Sequence, residues 1–246
     1  MLPALFDITA LLPDLQHKAI VITANNRLAN SIRQAWGQYQ AEQGRSCWQQ
    51  PRVFALETWI AQRWQDYSDQ GYASKTPQQV LSPLQESFLW ETVLASDPQK
   101  PPHLSASACA KQAMQAYRIT QQWQLPEEKL ATDSALLYRW ITQFRHQLEQ
   151  RQAITFCDSA NSLCAAYQQG DMAMEAKILL VGFQTLPPAY HALLQAAATE
   201  LTFIAGMNPP ANIDQTQIQV ASTHRIALPD QTSELIATAQ WAKQCL

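Results

Sequence analysis

Residues 176–207 read AKILLVGFQTLPPAYHALLQAAATELTFIAGM. The opening run, AKILLVGF, is almost continuously apolar rather than alternating, the pattern of a strand buried on both faces. Pro187 and Pro188 then open a helical pattern, because proline's fixed φ suits the first helical positions. A second apolar run, LTFIAGM, closes the unit as another strand. Strand, helix and strand in this order read as a βαβ unit, whose two strands run parallel.

The same logic works outward. Near the start, AIVITANNRLANSIRQAW spans residues 19–36: a buried strand at 19–23, then a helix with Leu28, Ile32, Ala35, Trp36 and Tyr39 on one stripe and Gly44 just beyond it. PRVFALETWIAQRW, 51–64, repeats the theme with a brief strand at Val53-Phe54 and a helix carrying Leu56, Trp59, Ile60 and Trp64 on one face. After the polar stretch SDQGYASKTPQQ the character changes. From Leu81 to Gln169 only helical periodicities occur, at 83–95, about 104–123, about 133–151 and 158–169, interrupted by Pro98, Pro101, Pro102 and Pro126. QIQVAS, 217–222, reads as a fourth strand of the core. TSELIATAQWAKQCL reads as a closing helix with Thr232 or Ser233 as cap and Leu235, Ala239 and Ala242 as its stripe. The chain ends inside that pattern, as a piece of a longer protein would. The fold class expected is α/β: a mostly parallel sheet flanked by helices, built from residues 1–75 and 173–246, with an all-helical insertion at 76–172.

Composition bounds the rest. Hydrophobic residues make up 47% of the 246 and charged residues only 15%, so the chain is globular with a weakly charged, Gln-rich surface. A net charge of −3 argues against a globally basic nucleic-acid coat. It leaves room for a local one: no acid falls between Asp14 and Glu42, a stretch holding Lys18, Arg27 and Arg33. The cysteines, Cys47, Cys109, Cys157, Cys164 and Cys245, are odd in number and lack C-x-x-C spacing, which suggests a reduced, cytoplasmic chain without a zinc site. The N-terminal MLPALFDITALLPDL lacks the basic start of a secretory signal, and no apolar run approaches the roughly 20 residues a membrane span requires, so no membrane partner is expected.

The usual phosphate loops cannot be drawn. The six glycines, Gly37, Gly44, Gly71, Gly170, Gly182 and Gly206, lie far apart. Neither GxxxxGK[ST] nor GxGxxG exists, and no GxSxG nucleophile elbow is present. ATP hydrolysis and dinucleotide binding of the common kinds are excluded, and no cofactor or metal is expected. The junction Asn25-Asn26-Arg27 stays open to two readings. A helix start after a parallel strand offers unpaired N–H groups and partial positive charge to a phosphate, with Arg27 and Arg33 adding ionic contacts. Alternatively, Asn25 or Asn26 only caps the helix and the arginines sit on its solvated face. Glu127 and Glu128 read as dipole-complementing acids at a helix start, and Asp158 as a helix N-cap. Trp36, Trp59, Trp64, Trp90 and Trp140 fall on apolar stripes and read as core.

With these residues in view, 176–210 resembles the motif II to motif III region of superfamily 1 helicases. On that pattern Val181 and Gly182 occupy the positions of the Asp-Glu pair, Phe183 and Gln184 keep the next two, and Thr185 replaces the final Asp. The GF followed by proline and a helix resembles the AddB-type subunits of bacterial helicase–nucleases. IVITANNRLANSIRQ resembles their motif Ia strand and helix, which contacts single-stranded DNA in that family. RVFALETWIAQRW, LSPLQESFLWETVL and SELIATAQWAKQCL resemble successive later segments. The resemblance implies a degenerate helicase domain of an AddB-like or RecB-like DNA repair exonuclease, with no catalytic residues in this chain and the nuclease domain elsewhere in the protein. It implies a weak DNA contact, to single strands or duplex ends, through Asn25, Asn26, Arg27 and Arg33, and partnership with other domains or subunits of a helicase–nuclease complex. Two rivals remain: a scaffold that docks protein partners without touching DNA, and an unrecognised α/β enzyme using Asp158, Glu175, His191 or His224.

Overall fold

The computed structural model describes residues 7–69, 79–98, 100, 105–204 and 230–244. In chain order they form α1 (Leu12–Gln16), β1 (Ile20–Thr23), α2 (Asn26–Glu42), β2 (Val53–Ala55), α3 (Leu56–Asp69), β3 (Gln79–Val80), α4 (Pro83–Ser96), α5 (Ala106–Trp123), α6 (Glu127–Asp133), α7 (Ala135–Gln150), β4 (Ala153–Ile154), α8 (Phe156–Gln169), β5 (Glu175–Val181), α9 (Pro188–Ala197), β6 (Ala198–Ile204) and α10 (Gln231–Gln244). The chain divides into two compact units, Met1–Pro210 and Ala211–Leu246.

The fold of the first unit is α/β, around a four-stranded sheet in the order β2-β1-β5-β6. Every pairing is parallel, with Val21 opposite both Val53 and Leu179, and Leu179 opposite Thr202. Alternation sorts the strand residues between two faces. Ile20, Ile22, Ile178 and Leu180 pack with α3, α8 and α9 through Trp59, Ile60, Leu163 and Leu193. Val21, Leu179 and Val181 point the other way, onto Ile32, Ala35 and Trp36 of α2 and Leu11 and Leu15 near α1. Helices on both faces explain why these strands are continuously apolar.

Between β2 and β5 the chain is mainly helical. α4, α5 and α7 enclose their own cluster, in which the Trp90 and Phe144 rings stack at 4.0 Å and Tyr117 meets Phe144 edge-on at 5.4 Å. The neck of this segment is a two-residue parallel ladder, Gln79 opposite Ala153 and Val80 opposite Ile154, extended by Leu81 N–H donating to Ile154 O at 2.9 Å. The sequence does not announce this ladder, because two residues are too few for a period. α8, grouped by its periodicity with the helical segment, packs instead on the sheet.

Boundaries moved where capping chemistry decided them. The helix expected at about 133–151 is α7, and a separate short helix that the periodicity did not mark, α6, precedes it and is parted from it at Ser134. α8 starts at Phe156 because Thr155 is its cap, accepting from Asp158 N–H at 3.2 Å. Asp158 therefore lies in the first turn and is not the cap itself. In the second unit Asp230, not Thr232 or Ser233, accepts from Ser233 N–H at 2.8 Å ahead of α10, and Leu235 of the expected stripe is exposed. QIQVAS lies outside the described residues. Trp36, Trp59, Trp64, Trp90 and Trp140 are all buried, as their spacing predicts.

Glu86 of α4 is buried, with one carboxylate oxygen receiving Arg118 at 3.1 Å and the other without a hydrogen-bond partner among the described residues. Burial pushes its carboxyl above the usual range, against the pull of Arg118. The unfolded chain then releases this proton at lower pH than the folded chain, so Glu86 costs stability increasingly as pH rises above its ordinary value. Glu86→Gln removes that dependence. Urea unfolding at pH 4 and pH 8 is expected to show the variant gaining on the parent at the higher pH; an unchanged difference would remove the titration argument.

Candidate functional site at the carboxyl edge of the sheet

The connection after β1 leads through α2 to one side of the sheet, and the connection after β5 leads through α9 to the other. Between strands whose connections diverge, a parallel sheet opens a crevice at its carboxyl edge. Here that crevice lies between Thr23-Ala24-Asn25 and Val181-Gly182, joined by Ala24 N–H donating to Val181 O at 3.3 Å.

Thr23 is fully buried, and its hydroxyl donates to Asn25 O at 2.9 Å with Phe54 O at 3.3 Å. It ties the turn to both strands. Asn25, in extended conformation, is the cap of α2: its Oδ1 accepts from Leu28 N–H at 2.9 Å. Asn26 is already the first helical residue. Its Oδ1 accepts from the Thr58 hydroxyl of α3 at 3.3 Å, which leaves its amide NH₂ outward on an exposed residue. The first backbone bond of the helix is Ala29 N–H to Asn25 O, so the N–H groups of Asn26 and Arg27 precede the ladder and carry no intrahelical acceptor.

Three helices, α2, α3 and α9, start at this edge, each the next element after its strand. They are not equivalent as anion sites. α3 carries Glu57 in its first turn, and α9 begins with Pro187 and Pro188, which have no N–H. α2 has no acid in its first turn and keeps its amides. Arg27 stands on this turn, exposed, with no side-chain bond among the described residues. Arg33 is placed differently: its guanidinium donates to Asn30 Oδ1 at 2.8 Å and to the carbonyl of Val53, bracing α2 against β2.

Val181 is buried at the end of β5, and Gly182 follows at φ +77°. A Cβ on Gly182 would lie 2.5 Å from Leu28 Cδ2, so Leu28 occupies the space over this turn. Gln184 and Thr185 are exposed on the loop that leads to α9. The edge can thus offer backbone N–H groups, side-chain amides and a guanidinium to an oxyanion. Sequence reasoning found the junction and missed Thr23, Leu28 and Thr58. Only Thr23, a polar residue closing an apolar strand, carried a visible signal.

The rival enzymatic residues are not joined to one another by any hydrogen bond or ion pair among the described residues. Asp158 accepts from Tyr117 and Thr155, and burial raises its carboxyl despite those bonds. Glu175 is held in a fork by Arg52 at 2.9 and 2.7 Å. His191 stacks on Phe203, and His224 lies outside the described residues. The neighbouring Cys157 thiol is pushed up by burial, which favours the inert thiol over the nucleophilic thiolate. No known family model matches the chain, and no curated protein matches it significantly. No helix among the described residues is long and apolar enough to cross a membrane.

Proposed function

We propose that this chain is a non-catalytic, helicase-like domain of an AddB-like or RecB-like DNA repair helicase–nuclease, and that it holds DNA by its phosphates. In this reading the parallel sheet and its helices correspond to a 1A-type core, and the helices between 79 and 154 to a 1B-type subdomain. Motor and nuclease activities reside in other domains or subunits. The observation that carries the reading is the start of α2: exposed, without an acid in its first turn, with two N–H groups outside the helical ladder and an Arg27 side chain that has no partner among the described residues. Such a site binds a phosphate without reading a base, which suits single strands or duplex ends of any sequence.

Fluorescence anisotropy with a labelled single strand at low salt tests it. Arg27→Ala is expected to weaken binding by about tenfold, the effect of losing one charge-assisted contact. Arg33→Ala is expected to leave the affinity nearly unchanged, because its guanidinium is already committed to Val53 and Asn30. Absence of binding, or equal effects of the two variants, would remove the DNA role from this edge.

One observation favours a second reading, a scaffold for protein partners. Leu84 and Phe88 of α4 are 81% and 71% exposed and line an apolar groove of about 670 Å³ beside the β3–β4 neck. Phe88→Glu abolishing capture of a motor subunit, with DNA affinity intact, would support that reading over the first.

A further inference from the structure

The opposite, amino-terminal edge of the sheet carries a pocket of about 470 Å³, within the size range of small-ligand sites. It lies among Lys18 before β1, Arg52 before β2, and the end of α2 with the loop that follows. Lys18, Arg45 and Arg52 line it, and no acidic residue does among the described residues. In a chain of net charge −3 this is a local reversal of sign.

The cations differ in what they can give. Arg52 is neutralised by its fork to Glu175. Arg45 spends one N–H on Gln40 Oε1 at 2.9 Å. Lys18 has no side-chain partner among the described residues, and its backbone is held at φ +61°. A helix end ordinarily repels anions through its free carbonyls. That repulsion is reduced here, because Gln43, Gly44 and Arg45 donate their N–H groups to the carbonyls of Tyr39, Ala41 and Gln40.

The walls are aromatic and amide-bearing. Tyr39 and Trp48 are half-buried and border the space. The Trp48 indole rests against Gly37, where a Cβ would come within 3.5 Å of its Cζ2. Gln43, Gln49 and Gln50 add amides to the lining, beside Gln16 and Gln40, which are hydrogen-bonded to Tyr39 and Arg45. A primary amide donates and accepts side by side, the pattern that matches the edge of a nucleobase. A carboxylate would use the cations and leave the rings idle; an uncharged aromatic would do the reverse.

We propose that this pocket binds a nucleoside phosphate, free or as the phosphorylated end of a strand, with the phosphate at Lys18 and Arg45 and the base against Trp48 and Tyr39. The site is separate from the Arg27 edge, and titration of the free monophosphates tests it apart from strand binding there. Isothermal titration of the full chain with the four nucleoside 5′-monophosphates, a nucleoside, inorganic phosphate, and oligonucleotides with 5′-phosphate or 5′-hydroxyl ends decides it. At least one monophosphate or the 5′-phosphorylated strand is expected to saturate the protein, at least about tenfold more tightly than nucleoside or phosphate alone. Preference for the free monophosphate or for the phosphorylated end identifies the source of the ligand. Lys18→Gly, which removes the ammonium at a backbone position that suits glycine, is expected to weaken monophosphate binding about tenfold, as is Trp48→Leu. Saturation by none of these probes overturns the proposal. So would equal affinity for inorganic phosphate, displacement by an acidic peptide at matching affinity, or unchanged binding in Lys18→Gly.

Discussion

Trp90→Ala is expected to destabilise the first unit by about 3–5 kcal/mol, the cost of emptying a fully buried aromatic site. Trp90 is 0% exposed and stacks on Phe144, which Tyr117 meets edge-on, so its loss strips contacts from three helices at once. Its indole N–H is buried without a hydrogen-bond partner among the described residues, and removing that donor offsets part of the loss. Trp90→Phe keeps a ring against Phe144 and discards the unsatisfied N–H. It is expected to cost only about 1–2 kcal/mol. Chemical denaturation of both variants checks the ordering. Equal costs would mean that neither the ring retained against Phe144 nor the volume it fills sets the stability of this cluster.

Gly182→Ala is expected to cost about 2 kcal/mol, from two separable sources. One is backbone: at φ +77° a side chain meets the following carbonyl, whatever space surrounds it. The other is the approach of the new Cβ to 2.5 Å of Leu28 Cδ2, the tip of a side chain that can rotate away at the expense of its packing. Leu28→Ala in the same chain removes the second source and leaves the first. A double-mutant cycle is therefore expected to show favourable coupling between the two substitutions, and strict additivity would disprove the contact. Because Leu28 N–H is the donor that Asn25 caps, displacing Leu28 also disturbs the start of α2.

The elements that could be read from sequence were those with many residues and one governing force. Ile20–Thr23 and Ile178–Val181 declared themselves by unbroken apolarity, and the structure explains why: each faces helices on both sides. What escaped was decided by single contacts. The β3–β4 ladder has two residues a strand, and its meaning depends on a partner more than 70 positions away. The cap of α8 fell to Thr155 because its hydroxyl reaches the Asp158 N–H, a choice between polar residues three positions apart that periodicity does not make. The same holds at the carboxyl edge. Asn25-Asn26-Arg27 was visible as a junction without glycine, but that Arg33 turns inward to Val53 while Arg27 faces out depends on where β2 lies. The basic and aromatic lining of the opposite pocket was scattered over residues 15–52, and only the fold gathers it.

The salt dependence of single-strand binding tests the central claim most directly. Each phosphate neutralised by a cation releases condensed counterions, so the slope of log K against log salt counts ionic contacts, at about 0.7 per phosphate on a single strand. The parent chain is expected to bind with a shallow negative slope, and Arg27→Ala to reduce its magnitude by about 0.7 at every sequence tried. Equal slopes for parent and Arg27→Ala would contradict the claim that the start of α2 holds a DNA phosphate.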